Sequence, residues 1–190
     1  MEKKILAPGI ICYPNIMPNS QELINLINND FKWFPGGAAE SRNSKPGYEN
    51  VRKVNTFMLT DEDGNAPVSS LNEWAATVHW NLSWCQTDYT EHYDIDTIQH
   101  KNSGYQLLSY GPGDYFSKHT DEIPEQLRRI SGVYYVNDDY EGGELYFTEF
   151  DLTFKPKAND YLLFPSIWSY MHIAMPVTEG TKNAIVHFMY

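Results

Sequence analysis

The chain has 190 residues, 42% of them hydrophobic and 15% aromatic, with a formal net charge of −11. That length suits one domain with a buried core, and the composition excludes a disordered chain. The negative charge repels nucleic-acid phosphates and anionic lipid surfaces, so neither nucleic acid nor membrane is expected as a partner; solubility is reason enough for it.

Residues 5–12 read as an edge strand broken by Pro8-Gly9. Ser20 is an N-cap residue type, Glu22 suits a first turn, and Leu23, Ile24, Ile27 and Phe31 recur on one face, which predicts a helix over about 21–30. Residues 35–50, rich in Gly, Ser, Asn and Pro, read as a loop. Val51–Leu59 reads as a strand ended by the turn-forming cluster Asp61-Glu62-Asp63-Gly64-Asn65. Ser70 and Glu73 then form a capping box, and Leu71, Trp74, Ala75, Val78 and Leu82 share a face, which predicts a helix over about 71–91 with Trp74 and Trp80 packed.

From Tyr105 the period shortens. Apolar runs at 105–110, 115–120, 130–136, 144–148, 152–154, 161–164, 170–175 and 183–189 alternate with Gly, Asp, Asn and Pro turns. Eight short strands in this space predict an antiparallel sandwich or barrel, with the first-half helices supporting one face. No domain boundary is apparent. Cys12 and Cys85 have no metal-like spacing, so reduced thiols in a cytoplasmic protein are expected. Neither a signal peptide after Met1-Glu2-Lys3-Lys4-Ile5 nor an apolar run long enough for a membrane span is expected.

His119-Thr120-Asp121 places an imidazole and a carboxylate at i and i+2, which on a strand is one face. A third ligand has to come from elsewhere, and His172, in an aromatic and apolar stretch, is the candidate. Two His and one Asp make the facial set that leaves three positions open on Fe(II), although Cu(II) and Zn(II) take such ligands too. A 2-oxo acid chelates iron through its carboxylate and keto oxygens and leaves one position for dioxygen. Its far carboxylate needs a cation, and Lys182 follows His172 by ten residues, after the Gly180-Thr181 turn.

At this point a resemblance appears. Tyr110-Gly-Pro-Gly-Asp-Tyr-Phe-Ser-Lys-His119-Thr-Asp121, Val133-Tyr-Tyr-Val-Asn137, Gly142-Gly143-Glu144, Asp160-Tyr-Leu-Leu-Phe164-Pro165 and His172 with Pro176-Val177-Thr-Glu-Gly180-Thr-Lys182 follow in order. This half of the chain resembles the catalytic half of prolyl 4-hydroxylase-like 2-oxoglutarate/Fe(II) dioxygenases; residues 1–104 match only loosely. The resemblance implies a mainly β fold with supporting α-helices, built on a double-stranded β-helix (jelly-roll) core over 105–190, with 1–104 as helical support and lid loop of the same single domain. It implies Fe(II) on His119, Asp121 and His172, and 2-oxoglutarate on Lys182 with Tyr110 and Tyr135 beside it. Dioxygen is the second cosubstrate, and ascorbate a further binding partner of such enzymes. The carboxylate of Asp121 favours hydroxylation over halogenation, because halogenating relatives carry a small residue there.

Two departures bear on the substrate. Phe116 stands where many prolyl hydroxylases have Tyr, with Tyr115 next to it, and the chain ends at Tyr190 without an extension to shape a groove. Arg128 matches a substrate-side arginine of some members, and Arg129 is its alternative. Arg128, Tyr115, Arg52 and Trp168 are the substrate candidates. A peptidyl proline is the expected substrate, with residues 36–56 as a lid hinged at Gly36-Gly37 that brings Tyr48 and Arg52 onto the peptide. The rivals are the same chemistry on a free amino acid or other small molecule, an alkylated base (which the net charge disfavours), and a jelly-roll binding module without turnover.

Overall fold

The computed structural model describes residues 2–17, 24–25, 34–35, 51–66, 71–95, 102–123 and 127–190. Alternating apolar residues in the second half form strands, because a period of two gives each strand one buried face for a facing layer. Two antiparallel sheets face each other. The major sheet holds β1 (Lys4–Ala7), β2 (Ile10–Tyr13), β12 (Tyr161–Pro165), β8 (Ile130–Tyr135), β15 (Lys182–Met189), β6 (Gln106–Tyr110), β5 (Asn55–Met58) and β3 (Phe34–Pro35), in that order. The minor sheet runs β11 (Leu152–Phe154), β10 (Leu145–Phe147), β13 (His172–Ala174), β7 (Tyr115–His119) and β4 (Arg52–Lys53). A small pair, β9 (Glu141–Gly142) with β14 (Val177–Glu179), lies beside them. The mainly β, jelly-roll expectation is met.

The alternation separates two cores. Leu162, Phe164, Tyr135 and Ala184 point between the sheets and meet Leu145, Phe147 and Ala174. Tyr161, Leu163, Tyr134 and Ile185 point the other way, onto Val78, Leu82, Cys85 and Tyr89 of the helix Asn72–His92. Cys12 and Cys85 are free and buried, and burial pushes both thiols up to about 12. No helix among the described residues is long and apolar enough to cross a membrane.

Several expectations need correction. The first half supplies strands to both sheets besides its helix. Residues 5–12 are not one edge strand: β1 is the edge, and β2 is an inner strand paired on its other side with β12. Val51–Leu59 splits at Val54, with Arg52–Lys53 in the minor sheet and Asn55–Met58 in the major one. The expected lid therefore does not extend to residue 56, because 52–53 and 55–56 are held in sheet ladders; residues 36–50 lie outside the described ones. The long helix has Leu71 as N-cap, with no side-chain cap; Ser70 of the expected capping box lies outside the described residues. Trp74 packs on the core, but Trp80 is 69% exposed. Of the expected 21–30 helix, only Ile24 and Asn25 are described, and both are helical.

Candidate metal centre

His119 ends β7 and His172 begins β13, and the two are cross-strand partners. Their rings lie 4.2 Å apart, edge to face. Asp121 is not on the strand: β7 stops at His119, and a bend at Asp121 turns the carboxylate back. Its oxygens then lie 3.5 Å from His119 Nε2 and 3.7 Å from His172 Nε2. The strand alternation expected for His119 and Asp121 is thus replaced by a turn with the same outcome. Ligand atoms of His119, Asp121 and His172 all lie within 4.8 Å of one another, the single such group among the described residues.

A β-bulge sits beside them. Residues 172 and 174 of β13 pair with 119 and 116 of β7, so one extra residue is taken up on β7. The bulge puts Phe116 and His119 on one face, with rings stacked 3.4 Å apart. The Arg52 guanidinium covers Phe116 at 4.9 Å. Phe147 and Phe164 flank His172.

The ligand atoms are oriented by their neighbours. His119 Nδ1 lies 2.8 Å from the Ser117 carbonyl and His172 Nδ1 3.0 Å from that of Tyr170. Each carbonyl can only accept, so Nδ1 carries the proton and Nε2 keeps its lone pair toward the site. Burial, with His119 nearby, pushes His172 down to about 4, so it is neutral at pH 7. Burial raises the Asp121 carboxyl, but His172, His119 and the Ser131 hydroxyl outweigh it and hold it well below the usual carboxylate range.

Ser131 Oγ donates to Asp121 Oδ2 at 2.6 Å and lies 2.8 Å from Ser166 Oγ. Both serines are 1% exposed. The Ser166 carbonyl accepts from Thr120 Oγ1 and Glu122 N, which pins the bend that carries Asp121. Sequence reasoning missed Ser131 and Ser166. Strand alternation with Val133 and Tyr135 was the one signal that Ser131 faces inward.

Across the gap, on the major sheet, Lys182 pairs with Tyr110. Lys182 is 3% exposed; its ammonium donates to the Gly143 carbonyl at 2.6 Å and lies 5.3 and 5.5 Å from the Tyr135 and Tyr110 rings. Burial pushes it down to about 7, against the opposing pull of Glu144. The Tyr135 hydroxyl is buried with no hydrogen-bond partner among the described residues. Burial raises Tyr110, and Arg52, hydrogen-bonded to it, opposes that rise.

The substrate candidates divide. Arg52 faces the centre through Phe116 and Tyr110, and its Nε is buried with no hydrogen-bond partner among the described residues. Arg128 donates to the Asp121 carbonyl at 3.3 Å and lies 3.7 Å over Phe188. Arg129 is exposed. Tyr115 lies next to Phe116 on the strand, so alternation puts it on the opposite face. Trp168, 69% exposed, starts the short 3-10 turn Trp168–Tyr170 that leads into His172.

The donor set fits Fe(II): two imidazoles, each with Nε2 toward the site, and one carboxylate, grouped around one point. A buried ammonium whose one hydrogen-bond partner among the described residues is a carbonyl, beside a hydroxyl with none among them, fits a carboxylate.

Residues 105–190 match the family model described as the 2OG-Fe(II) oxygenase superfamily. The chain is 27% identical over 97 residues to a "Putative prolyl 4-hydroxylase" of Acanthamoeba polyphaga mimivirus, spanning 40% of each protein. Its fold is shared by the viral collagen prolyl hydroxylase vCPH of Paramecium Bursaria Chlorella virus-1, solved with 2OG, with TM-score 0.66, 16% identity and 95% of both chains covered. A Trichoplax adhaerens prolyl hydroxylase, solved with a hypoxia inducible factor peptide, gives TM-score 0.71 and 18% identity over 96% of this chain and 83% of that one. At such identities the structures speak to the fold alone, while the family model and the viral relative speak to the sequence. Residues 105–190 thus resemble the 2OG-Fe(II) oxygenase superfamily in sequence, and the chain as a whole shares the fold of these two prolyl hydroxylases.

Proposed function

We propose that this chain is a dioxygenase that hydroxylates the C–H bond of a peptidyl proline, with 2-oxoglutarate and dioxygen as cosubstrates. The carrying observation is the grouping of His119, Asp121 and His172 opposite the buried Lys182. The three would hold Fe(II), and Lys182 with Tyr135 and Tyr110 would hold the far carboxylate of 2-oxoglutarate. Bound together, iron, 2-oxoglutarate and dioxygen supply an oxidative decarboxylation to succinate and CO2, coupled to insertion of one oxygen atom into the substrate.

The chain's own residues do the rest. The Ser117 and Tyr170 carbonyls fix the imidazole tautomers, so the ligands need no proton shuffle on metal entry. Ser131 holds Oδ2 of Asp121, and Oδ1, 3.5 Å from His119 Nε2, would be left to bind the metal. Phe116, Phe147 and Phe164 keep water from the imidazoles. Arg52 and Arg128 flank the centre and would take the carbonyls of a peptide. Ascorbate would serve as reductant when the metal is oxidised without substrate.

Succinate formation with proline-containing peptides, Fe(II) and 2-oxoglutarate, together with a +16 Da peptide product, tests the proposal. Phe116 favours a second reading, a free amino acid or other small molecule: stacked on His119 under Arg52, it offers no hydroxyl to orient a peptide. A +16 Da product from a free amino acid and from no peptide would select that reading. No succinate above the metal-free background would remove both and leave a binding module.

A further inference from the structure

Tyr140 lies between β8 and β9 and is 4% exposed. Its hydroxyl is buried and, like that of Tyr135, has no hydrogen-bond partner among the described residues. Leaving a buried hydroxyl unpaired is unfavourable. Two of them in one region, one on a ring whose centroid lies 5.3 Å from the buried Lys182 ammonium, point to a ligand that accepts hydrogen bonds.

The surroundings of Tyr140 place it there. Gly143 has φ +66°, and a Cβ on it would meet Tyr140 Cε2 at 3.0 Å, Val177 Cγ2 at 3.1 Å and Lys182 Cδ at 3.2 Å. The ring of Tyr140 and the stem of Lys182 thus flank one point that only glycine leaves free. On the chain beyond β14, Gly180 makes room for Tyr140 in the same way: a Cβ on it would meet the Tyr140 Cα at 3.0 Å. Lys155 stands 5.4 Å over the ring while its ammonium binds the Gly142 carbonyl and Glu144. After burial, Tyr140 is the strongest influence raising the Tyr135 phenol, as two neighbouring hydroxyls require.

We propose that Tyr140 is a cosubstrate-binding residue, the third donor to the far carboxylate of 2-oxoglutarate beside Lys182 and Tyr135; this rests on the dioxygenase reading above. The donor count supports it. An ammonium has three N–H donors, and Lys182 spends one on the Gly143 carbonyl. Its remaining two, with one from Tyr135 and one from Tyr140, match the roughly four lone-pair positions of a carboxylate. Without Tyr140 one position of a fully buried carboxylate goes unpaired.

The experiment is isothermal titration calorimetry without oxygen, on protein loaded with Mn(II), comparing wild type, Tyr140→Phe and Lys182→Met. The probes are 2-oxoglutarate and oxalate, which chelates metal but has no distal carboxylate. Tyr140→Phe removes one oxygen and keeps the ring. Its 2-oxoglutarate affinity should fall about tenfold or more, with Mn(II) and oxalate affinities unchanged. The unchanged oxalate affinity also shows that the variant is folded at the metal end. Equal 2-oxoglutarate affinity in Tyr140→Phe and wild type overturns the assignment and leaves a buried water as the partner of Tyr140. A parallel loss of oxalate binding overturns it too, as general damage. Wild type that binds oxalate but not 2-oxoglutarate sinks the dioxygenase reading itself, a result distinct from either.

Discussion

Ser131→Ala is the sharpest probe of the metal centre, because it leaves all three candidate ligand residues in place and removes one buried oxygen. In the native protein that oxygen donates to Asp121 at 2.6 Å, a length typical of a hydroxyl bound to a carboxylate, and sits 2.8 Å from Ser166 Oγ. A hydrogen bond to a charged group contributes about 1.5–3 kcal/mol. Alanine leaves Asp121 Oδ2 without that donor and lets the carboxylate rotate away from the two Nε2 atoms 3.5 and 3.7 Å off. We expect metal affinity to fall roughly 10- to 100-fold, the range for losing an outer-shell partner. Anaerobic Mn(II) titration followed by electron paramagnetic resonance reads it, with Tm measured alongside. Ser166→Ala should fall less, since the Ser166 hydroxyl reaches Asp121 only through Ser131 and the carbonyl that pins the bend is kept. Mn(II) affinity within about twofold of wild type in Ser131→Ala would refute the orientation argument.

Other outcomes follow from the same geometry. Lys182→Met should weaken 2-oxoglutarate binding about 10- to 100-fold by calorimetry with Mn(II) affinity retained; an unchanged value would move the anchor to Arg52 or Tyr135. In wild type, Lys182 titrates near 7 when free and is held charged by a bound carboxylate, so 2-oxoglutarate affinity should fall as pH rises above 7 with proton uptake on binding; a flat profile from pH 6.5 to 8.5 would contradict this. Asp121→Ala and His172→Ala should each abolish succinate formation while the chain stays folded by circular dichroism, and normal metal affinity in either would remove that residue from the site. His187 is fully buried, and burial pushes it down to about 3. The unfolded chain takes up that proton near 6.5 and the native state does not, so stability should drop as pH falls below 6.5, by on the order of 3 kcal/mol at pH 4. His187→Gln should flatten that loss in denaturant titrations.

The strands of the second half were legible because their side chains alternate over a buried face; runs such as 152–154 and 161–164 needed little adjustment. His172 was a candidate from its aromatic stretch and the family resemblance, and Lys182 from its place ten residues on; the two fall on opposite sheets. The crossing at Val54 was not legible, since a single residue between two strands of different sheets leaves no turn signal. Nor were β9 and β14, too short for any period to show. The His119–Asp121 relation was inferred from strand alternation that the bend replaces, and the bulge that brings Phe116 onto His119 is invisible in a one-letter pattern. Ser131 and Tyr140 carry no local signal, because their meaning lies in contacts with residues far along the chain. The Trp80 error has a plain cause: helical spacing identifies a face, and Trp80 is off it.

The division of labour between the sheets has a dimensional consequence. The candidate metal ligands sit on or just beyond strands of the minor sheet, and Lys182, Tyr110 and Tyr135 on strands of the major one. Sheets in such a sandwich stand about 10 Å apart, a spacing set by the side chains packed between them. On the proposed assignment a cosubstrate must reach from one layer to the other, so the core itself works as a gauge. Enlarging or shrinking Leu162, Phe164 or Leu145 would change which chain length of 2-oxo diacid fits, without any change to a residue that touches it.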